Sequence, residues 1–138
     1  MKPFCLAILC AISLLACNNA KPTEKQDGVP NIENAPKFKF EEESTDFGQM
    51  KEGDIIEHRF KFENVGKSEL IITTVQAQCG CTIPNWPQKP IGPGEEGVIN
   101  VKFDSKGKAG VQKKWITILS NSFNGQDYLS FTADVRKR

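Results

Sequence analysis

The chain has 138 residues, of which 38% are hydrophobic and 25% are charged, and its formal net charge at pH 7 is +1. This length suits one domain with a short extension. The 18 basic and 17 acidic residues nearly cancel and form no basic stripe, which excludes the electrostatic footprint of a nucleic-acid-binding protein. We therefore expect no nucleic-acid partner.

The chain starts with a short apolar segment. A run from Phe4 to Leu15 is broken only by two cysteines and a serine, and it ends just before Cys17. About a dozen apolar residues are too few for a helix to span the roughly 30 Å hydrocarbon core of a bilayer. The run therefore predicts a signal peptide over residues 1–16 rather than a membrane anchor.

The end of this segment, Leu14-Leu15-Ala16-Cys17, resembles a bacterial lipobox. The resemblance implies cleavage before Cys17, diacylglyceryl attachment to its Sγ and acylation of its amine. An ordinary secretory signal with an incidental cysteine is the alternative. Because one acyl chain binds a membrane only marginally, several chains are needed for stable anchoring. We expect a membrane-anchored lipoprotein of the cell envelope that faces the periplasm or the cell surface.

Residues 17–36 are interpreted as the lipidated cysteine and a flexible linker. The linker contains three prolines, and only Val29 and Ile32 offer much apolar surface to bury. The square-root scaling of flexible chains would hold the following domain on the order of 25 Å from the bilayer.

Residues 37–138 contain seven short runs in which apolar and polar side chains alternate between turn residues. In the clearest run, the side chains expected on the inner face are Ile56, His58, Phe60 and Phe62. Two later runs alternate in the same way, and their expected inner faces are Ile99, Val101 and Phe103, then Leu129, Phe131, Ala133 and Val135. Period-two alternation is typical of half-buried strands. Seven such strands in about a hundred residues predict an all-β fold, an immunoglobulin-like antiparallel β-sandwich.

Cys79-Gly80-Cys81 is the main candidate site, since the other cysteines lie in the leader or at the expected lipidation position. Two cysteines one residue apart can close a small disulfide, bind a soft metal or pack as small hydrophobes. In an extended strand their Cα atoms would lie about 6.5 Å apart, and a bend at Gly80 would shorten this distance. The sequence leaves these alternatives open.

A metal site would need further ligands beside the two thiolates. His58 is the one histidine of the chain, so a set of three ligands fits a two- or three-coordinate copper(I) site better than four-coordinate structural zinc. The alternative for His58, on the apolar side of its strand, is a partly buried ring hydrogen-bonded to the backbone at a sheet end. No metal is firmly predicted.

Trp86 is a candidate partner contact. It lies in a segment from Pro84 to Gly94 that contains four prolines, which predicts a stiff loop because proline cannot donate to a sheet. The alternative is that Trp86 covers the domain's own core.

Several motifs in order along the chain resemble the bacterial domain-of-unknown-function family 1573. The stretches concerned are Thr45–Gly48, Phe60–Gly66, Cys79–Thr82, Ile91–Gly94 and Val101–Asp104. That family is similar to the immunoglobulin-like domains of the Hydin and major sperm protein kind. The resemblance implies this fold and an extracytoplasmic, often lipid-anchored setting, but no reaction and no catalytic residue.

Two functions remain open at this point. The chain lacks a nucleophile elbow and a phosphate-binding glycine loop, so we expect a non-catalytic binding or scaffold module that meets an envelope protein or polymer. The alternative is a redox-active or copper(I)-handling lipoprotein that acts through Cys79 and Cys81.

Overall fold

The computed structural model describes residues 32–137 and is built from strands. The expected signal peptide, Cys17 and most of the linker lie outside the described residues. After a short 3₁₀ turn the strands are β1 (Phe38–Phe40), β2 (Ser44–Lys51), β3 (Ile55–Asn64), β4 (Ile72–Ala77), β5 (Thr82–Asn85), β6 (Glu96–Asp104), β7 (Gly110–Ser120) and β8 (Gln126–Arg136). Over this described range, no helix has the length and apolar character needed to cross a bilayer.

The strands form two four-stranded sheets. The first sheet has the order β1-β3-β6-β5 and the second has the order β2-β8-β7-β4. The all-β, immunoglobulin-like sandwich is thereby confirmed, with two differences in detail. The described residues form eight strands, and the chain leaves the first sheet after β1 and enters the second as β2. As a result β2 runs parallel to β8, while the other pairs are antiparallel.

The expectation of a continuous loop from Pro84 to Gly94 is wrong at its start. Pro84 and Asn85 belong to β5, where Pro84 lies opposite Val101 of β6. The first sheet ends at β5, so this strand has a neighbour on one side only. A proline is tolerated on such an edge because its missing N–H can point away from the ladder.

The core lies between the sheets and follows the alternation of the strands. Phe60 and Phe103 come from the first sheet and Phe131 from the second, and none of the three is exposed to solvent. The rings of Phe103 and Phe131 meet across the core with centroids 5.1 Å apart. The inward assignment of β3, β6 and β8 from the sequence is therefore confirmed.

One polar side chain is fully buried at the end of β3. The Nδ2 of Asn64 donates to the carbonyls of Ser68 at 2.8 Å and Ile91 at 2.9 Å. Its Oδ1 accepts from the backbone N–H of Gly66 at 3.0 Å and of Lys37 at 3.3 Å. A buried amide with its donors and acceptor all satisfied joins segments that are distant in sequence.

Replacing Phe60 with alanine should lower the free energy of unfolding by about 3–5 kcal/mol, because it empties a fully buried core position. Urea unfolding followed by tryptophan fluorescence measures this change. Lys61→Ala, on the exposed side of the same strand, is the matched control and should change stability by less than about 0.5 kcal/mol. Equal midpoints for the two variants would contradict the inward assignment.

Candidate functional site: the disulfide turn and the outer face of the second sheet

Cys79 and Cys81 are joined by a disulfide with an S–S distance of 2.05 Å and a Cα–Cα distance of 5.3 Å. Gly80 between them is exposed, and a Cβ added there would contact nothing within 4 Å. The bend at this glycine brings the two Cα atoms below the spacing of an extended strand. Of the alternatives left open by the sequence, the structure adopts the disulfide.

We call residues 79–82 the disulfide turn, and it carries the chain from β4 in the second sheet to β5 in the first. The N–H of Thr82 donates to the carbonyl of Cys79 at 3.2 Å. Directly before the turn, the backbone N–H of Gln78 donates to the carbonyl of Trp115 in the second sheet at 3.2 Å. Within the turn, the carbonyl of Cys81 accepts from the backbone N–H of Asp104 in the first sheet at 2.9 Å. Backbone hydrogen bonds thus attach this turn to both sheets.

The hydroxyl of Thr82 lies beside both sulfurs. Its Oγ1 is 3.8 Å from Cys79 Sγ and 4.0 Å from Cys81 Sγ, and the residue is only 4% exposed. A hydroxyl can donate to sulfur, although sulfur is a weak acceptor when neutral. This contact was not predicted from the sequence, although the position of Thr82 directly after the cysteine pair could have suggested it.

His58 does not join the cysteines. Its Nε2 makes a 2.8 Å contact with a carboxylate oxygen of Glu42, and its ring packs edge-on against Phe60 with centroids 4.6 Å apart. The register places His58 opposite Val101, two strands from β5, so roughly 14 Å separates it from Cys81 at ordinary strand spacings. The three-ligand copper(I) set considered from the sequence is not assembled.

Within residues 32–137 no group of three or more histidine, cysteine, aspartate or glutamate side chains could hold a metal ion. The disulfide also removes both thiolates from metal binding in this state, since thiolates are the ligands that soft metals require. Copper(I) binding at Cys79 and Cys81 would first need the disulfide to be reduced.

Trp86 is partly buried and packs against the apolar core. Its Nε1 is buried without a hydrogen-bond partner among the described residues. This position matches the alternative in which Trp86 covers the domain's own core.

A different tryptophan is exposed, on the outer face of the second sheet. Trp115 is 43% exposed and Tyr128 is 52% exposed, and they border a concavity of about 520 Å³ that we call the aromatic recess. Its lining residues are all uncharged: Gln76, Ala77, Gln78, Trp115, Thr117 and Tyr128. This recess was not predicted from the sequence.

Strand register explains the shape of the recess. Thr117 of β7 lies opposite Gln76 of β4 on one side and Tyr128 of β8 on the other. The short threonine side chain forms the floor between longer neighbours. Gln126 Nε2 donates to the Tyr128 hydroxyl at 2.7 Å, which fixes the position of that ring at the rim.

Comparison with protein families gives one match over most of the chain. Residues 38–135 match the model of a family described as "Protein of unknown function (DUF1573)". No curated protein matches the chain in sequence.

Solved structures share the fold at low sequence identity. A protein of unknown function from Porphyromonas gingivalis W83 is 16% identical with a TM-score of 0.66 over 76% of this chain, and this chain spans 49% of that one. A human PapD-like domain of CEP192 is 7% identical with a TM-score of 0.60, covering 82% of this chain and 93% of that domain. The Vibrio cholerae VesB protease is 11% identical with a TM-score of 0.56, covering 74% of this chain and 32% of that protein. At these identities the likeness concerns the fold alone.

Replacing both cysteines of the disulfide turn with serine should lower the free energy of unfolding by no more than about 1–2 kcal/mol, because closing so short a loop constrains the unfolded chain very little. Urea unfolding of the double variant, and of the wild type with and without reductant, measures this. A loss as large as that for Phe60→Ala would show that the disulfide is a main support of the fold.

Proposed function

The chain belongs to the DUF1573 family, and from this premise we propose that it is a lipid-anchored cell-envelope module that binds another envelope component without transforming it. The aromatic recess carries this proposal. It is a concavity of the size of small-ligand sites, with exposed aromatic rings and convergent amides on a rigid sheet.

The lining of the recess favours an uncharged, hydroxyl-rich polymer such as a polysaccharide strand. The flat apolar face of a sugar ring stacks on indole and phenol rings, which combine an apolar surface with a polar edge. The side-chain amides of Gln76 and Gln78 provide both donors and acceptors for hydroxyl groups. Although 25% of the residues in the chain are charged, no charged side chain lines the recess. The lining itself therefore gives no electrostatic attraction to an ionic ligand.

Lys113 does not line the recess, but its ammonium group contacts one of the aromatic rings that do. Lys113 Nζ lies 5.1 Å from the centroid of the Trp115 ring, a cation–π contact that holds the indole in place on that side. An aromatic ring fixed by its neighbours loses less conformational entropy when a ligand binds. The recess is thereby prepared for binding before the ligand arrives.

Binding can be tested with the full-length chain in detergent, by its retardation in gels that contain neutral polysaccharides. Trp115→Ala and Tyr128→Ala should each weaken retention by at least about tenfold, as expected for aromatic anchors at a binding site. Phe123→Ala is the matched control, because Phe123 is 53% exposed but does not line the recess. It should leave retention unchanged.

Two outcomes would contradict this assignment. Retention that is unaffected by Trp115→Ala and Tyr128→Ala would exclude the recess as the binding site. Binding only to anionic polymers, or only to an envelope protein captured by crosslinking, would exclude an uncharged polymer as the ligand.

Anchoring depends on Cys17 and needs its own test. Cells labelled with a clickable palmitate analogue should incorporate label into the wild-type chain, since acyl transfer to Cys17 is what a lipobox directs. Cys17→Ala should abolish labelling and release the chain from the membrane fraction. Cys10→Ala, in the leader, is the control and should retain the label. Membrane association without label would contradict lipid anchoring.

A further inference from the structure

Backbone hydrogen bonds hold the disulfide turn in addition to its S–S bond. Within the turn the N–H of Thr82 donates to the carbonyl of Cys79, and the carbonyl of Cys81 accepts from the N–H of Asp104 in the first sheet. Gln78, directly before the turn, donates its N–H to the carbonyl of Trp115 in the second sheet. Because these bonds do not involve the sulfurs, we expect the S–S bond to open and close within the folded domain.

Cys81 borders a second concavity, which we call the lysine depression, with a volume of about 310 Å³. Three lysines, Lys102, Lys106 and Lys108, line it together with one aspartate, Asp104. The Asp104 carboxylate accepts a hydrogen bond from the N–H of Lys106 at 2.8 Å. The lining is thus positively charged on balance beside one sulfur of the pair, while Cys79 does not border this space.

Positive charge beside a disulfide favours the anion that attacks it. The nucleophile in thiol–disulfide exchange is a thiolate, and cationic side chains stabilise thiolates and attract anionic molecules. One of the three lysines, Lys102, is partly neutralised by a 3.3 Å ion pair with Glu57. Lys106 and Lys108, on the loop between β6 and β7, are the better candidates for this attraction.

We propose that the Cys79–Cys81 disulfide is a thiol–disulfide exchange centre, attacked at Cys81 Sγ through the lysine depression by a dithiol protein of the envelope that carries acidic residues around its reactive thiol. This activity is separate from polymer binding at the aromatic recess, and neither depends on the other.

The exchange has two steps, each of which forms one S–S bond and breaks another. The partner's thiolate forms a bond to Cys81 Sγ, the Cys79–Cys81 bond breaks, and its electron pair goes to Cys79 Sγ. The Thr82 hydroxyl, 3.8 Å from that sulfur, donates a hydrogen bond to the new thiolate, which is a stronger acceptor than a neutral sulfur. The partner's second thiolate then attacks the partner's own sulfur and releases Cys81 as a thiolate. The partner becomes a disulfide, and protonation leaves Cys79 and Cys81 as thiols.

The test measures how fast the Cys79–Cys81 disulfide is reduced in the full-length chain, in detergent at low salt. The reaction is stopped with acid at successive times, and the fraction reduced is read from the alkylation of the peptide that carries both cysteines. Glutathione is the anionic probe and cysteamine the cationic one. An oxidised, unstructured peptide with the sequence of residues 76–84 corrects for the intrinsic reactivity of each thiol. Relative to this peptide, the folded chain should prefer glutathione, and added salt should remove the preference.

Variants should distinguish the effect of the lysine charges from the effect of the Thr82 hydroxyl. Lys106→Gln combined with Lys108→Gln should slow reduction by glutathione about threefold and leave cysteamine unaffected or faster. The matched control is Lys67→Gln with Lys89→Gln, at two exposed positions, which removes the same charge outside both the lysine depression and the aromatic recess and should change neither rate. Thr82→Val, which keeps the shape but removes the hydroxyl, should slow reduction by both thiols about tenfold.

Single-cysteine variants locate the attacked sulfur. In Cys79→Ser the remaining Cys81 should form a mixed disulfide with oxidised glutathione faster than Cys79 does in Cys81→Ser, because only Cys81 borders the lysine depression. The proposal is overturned if the folded chain matches the peptide with both thiols, if the lysine variants match their control, or if reduction occurs only on unfolding. Thermal melting of each variant identifies loss of fold, and polysaccharide retention should be unchanged throughout.

Discussion

The apolar layer between the two sheets is the constraint on which the rest of the molecule depends. Each sheet buries one face, and the contact is closed by aromatic rings such as those of Phe103 and Phe131 at its centre. Because side chains alternate along a strand, filling this layer also decides which side chains point outward. The inward position of Ile116 and Ile118 on β7 thus forces Trp115 and Thr117 onto the outer face, where they build the aromatic recess.

One short turn lies between the two candidate sites. Gln78, directly before it, lines the aromatic recess, and Cys81 within it lines the lysine depression. The recess belongs to the second sheet and the depression to the edge of the first, and the turn connects these sheets through backbone hydrogen bonds. The chemistry of the two sites differs, since one is uncharged and aromatic and the other is cationic with an exchangeable sulfur pair.

Alternation in the sequence was sufficient to predict the sandwich and the inner faces of β3, β6 and β8, because period two is a local property. β5 was not predicted, since Pro84 reads as a loop residue until its strand is known to lie at an edge. The cysteine pair was found as a motif, but the lysines beside it are some twenty-five residues away along the chain. The aromatic recess was missed because it depends on the register that sets Thr117 opposite Tyr128.

The parallel pair of β2 and β8 governs the order of assembly. Ser44 lies opposite Ser130, so the two strands are brought together across nearly the whole domain, and β8 occupies an inner position in its sheet although it is the last strand of the described residues. Such distant pairing must pay the entropy of closing a long loop before its contacts form, which slows folding. The second sheet closes only when β8 has inserted between β2 and β7, so neither its buried inner face nor the aromatic recess, which needs Trp115 of β7 and Tyr128 of β8, is complete before that step.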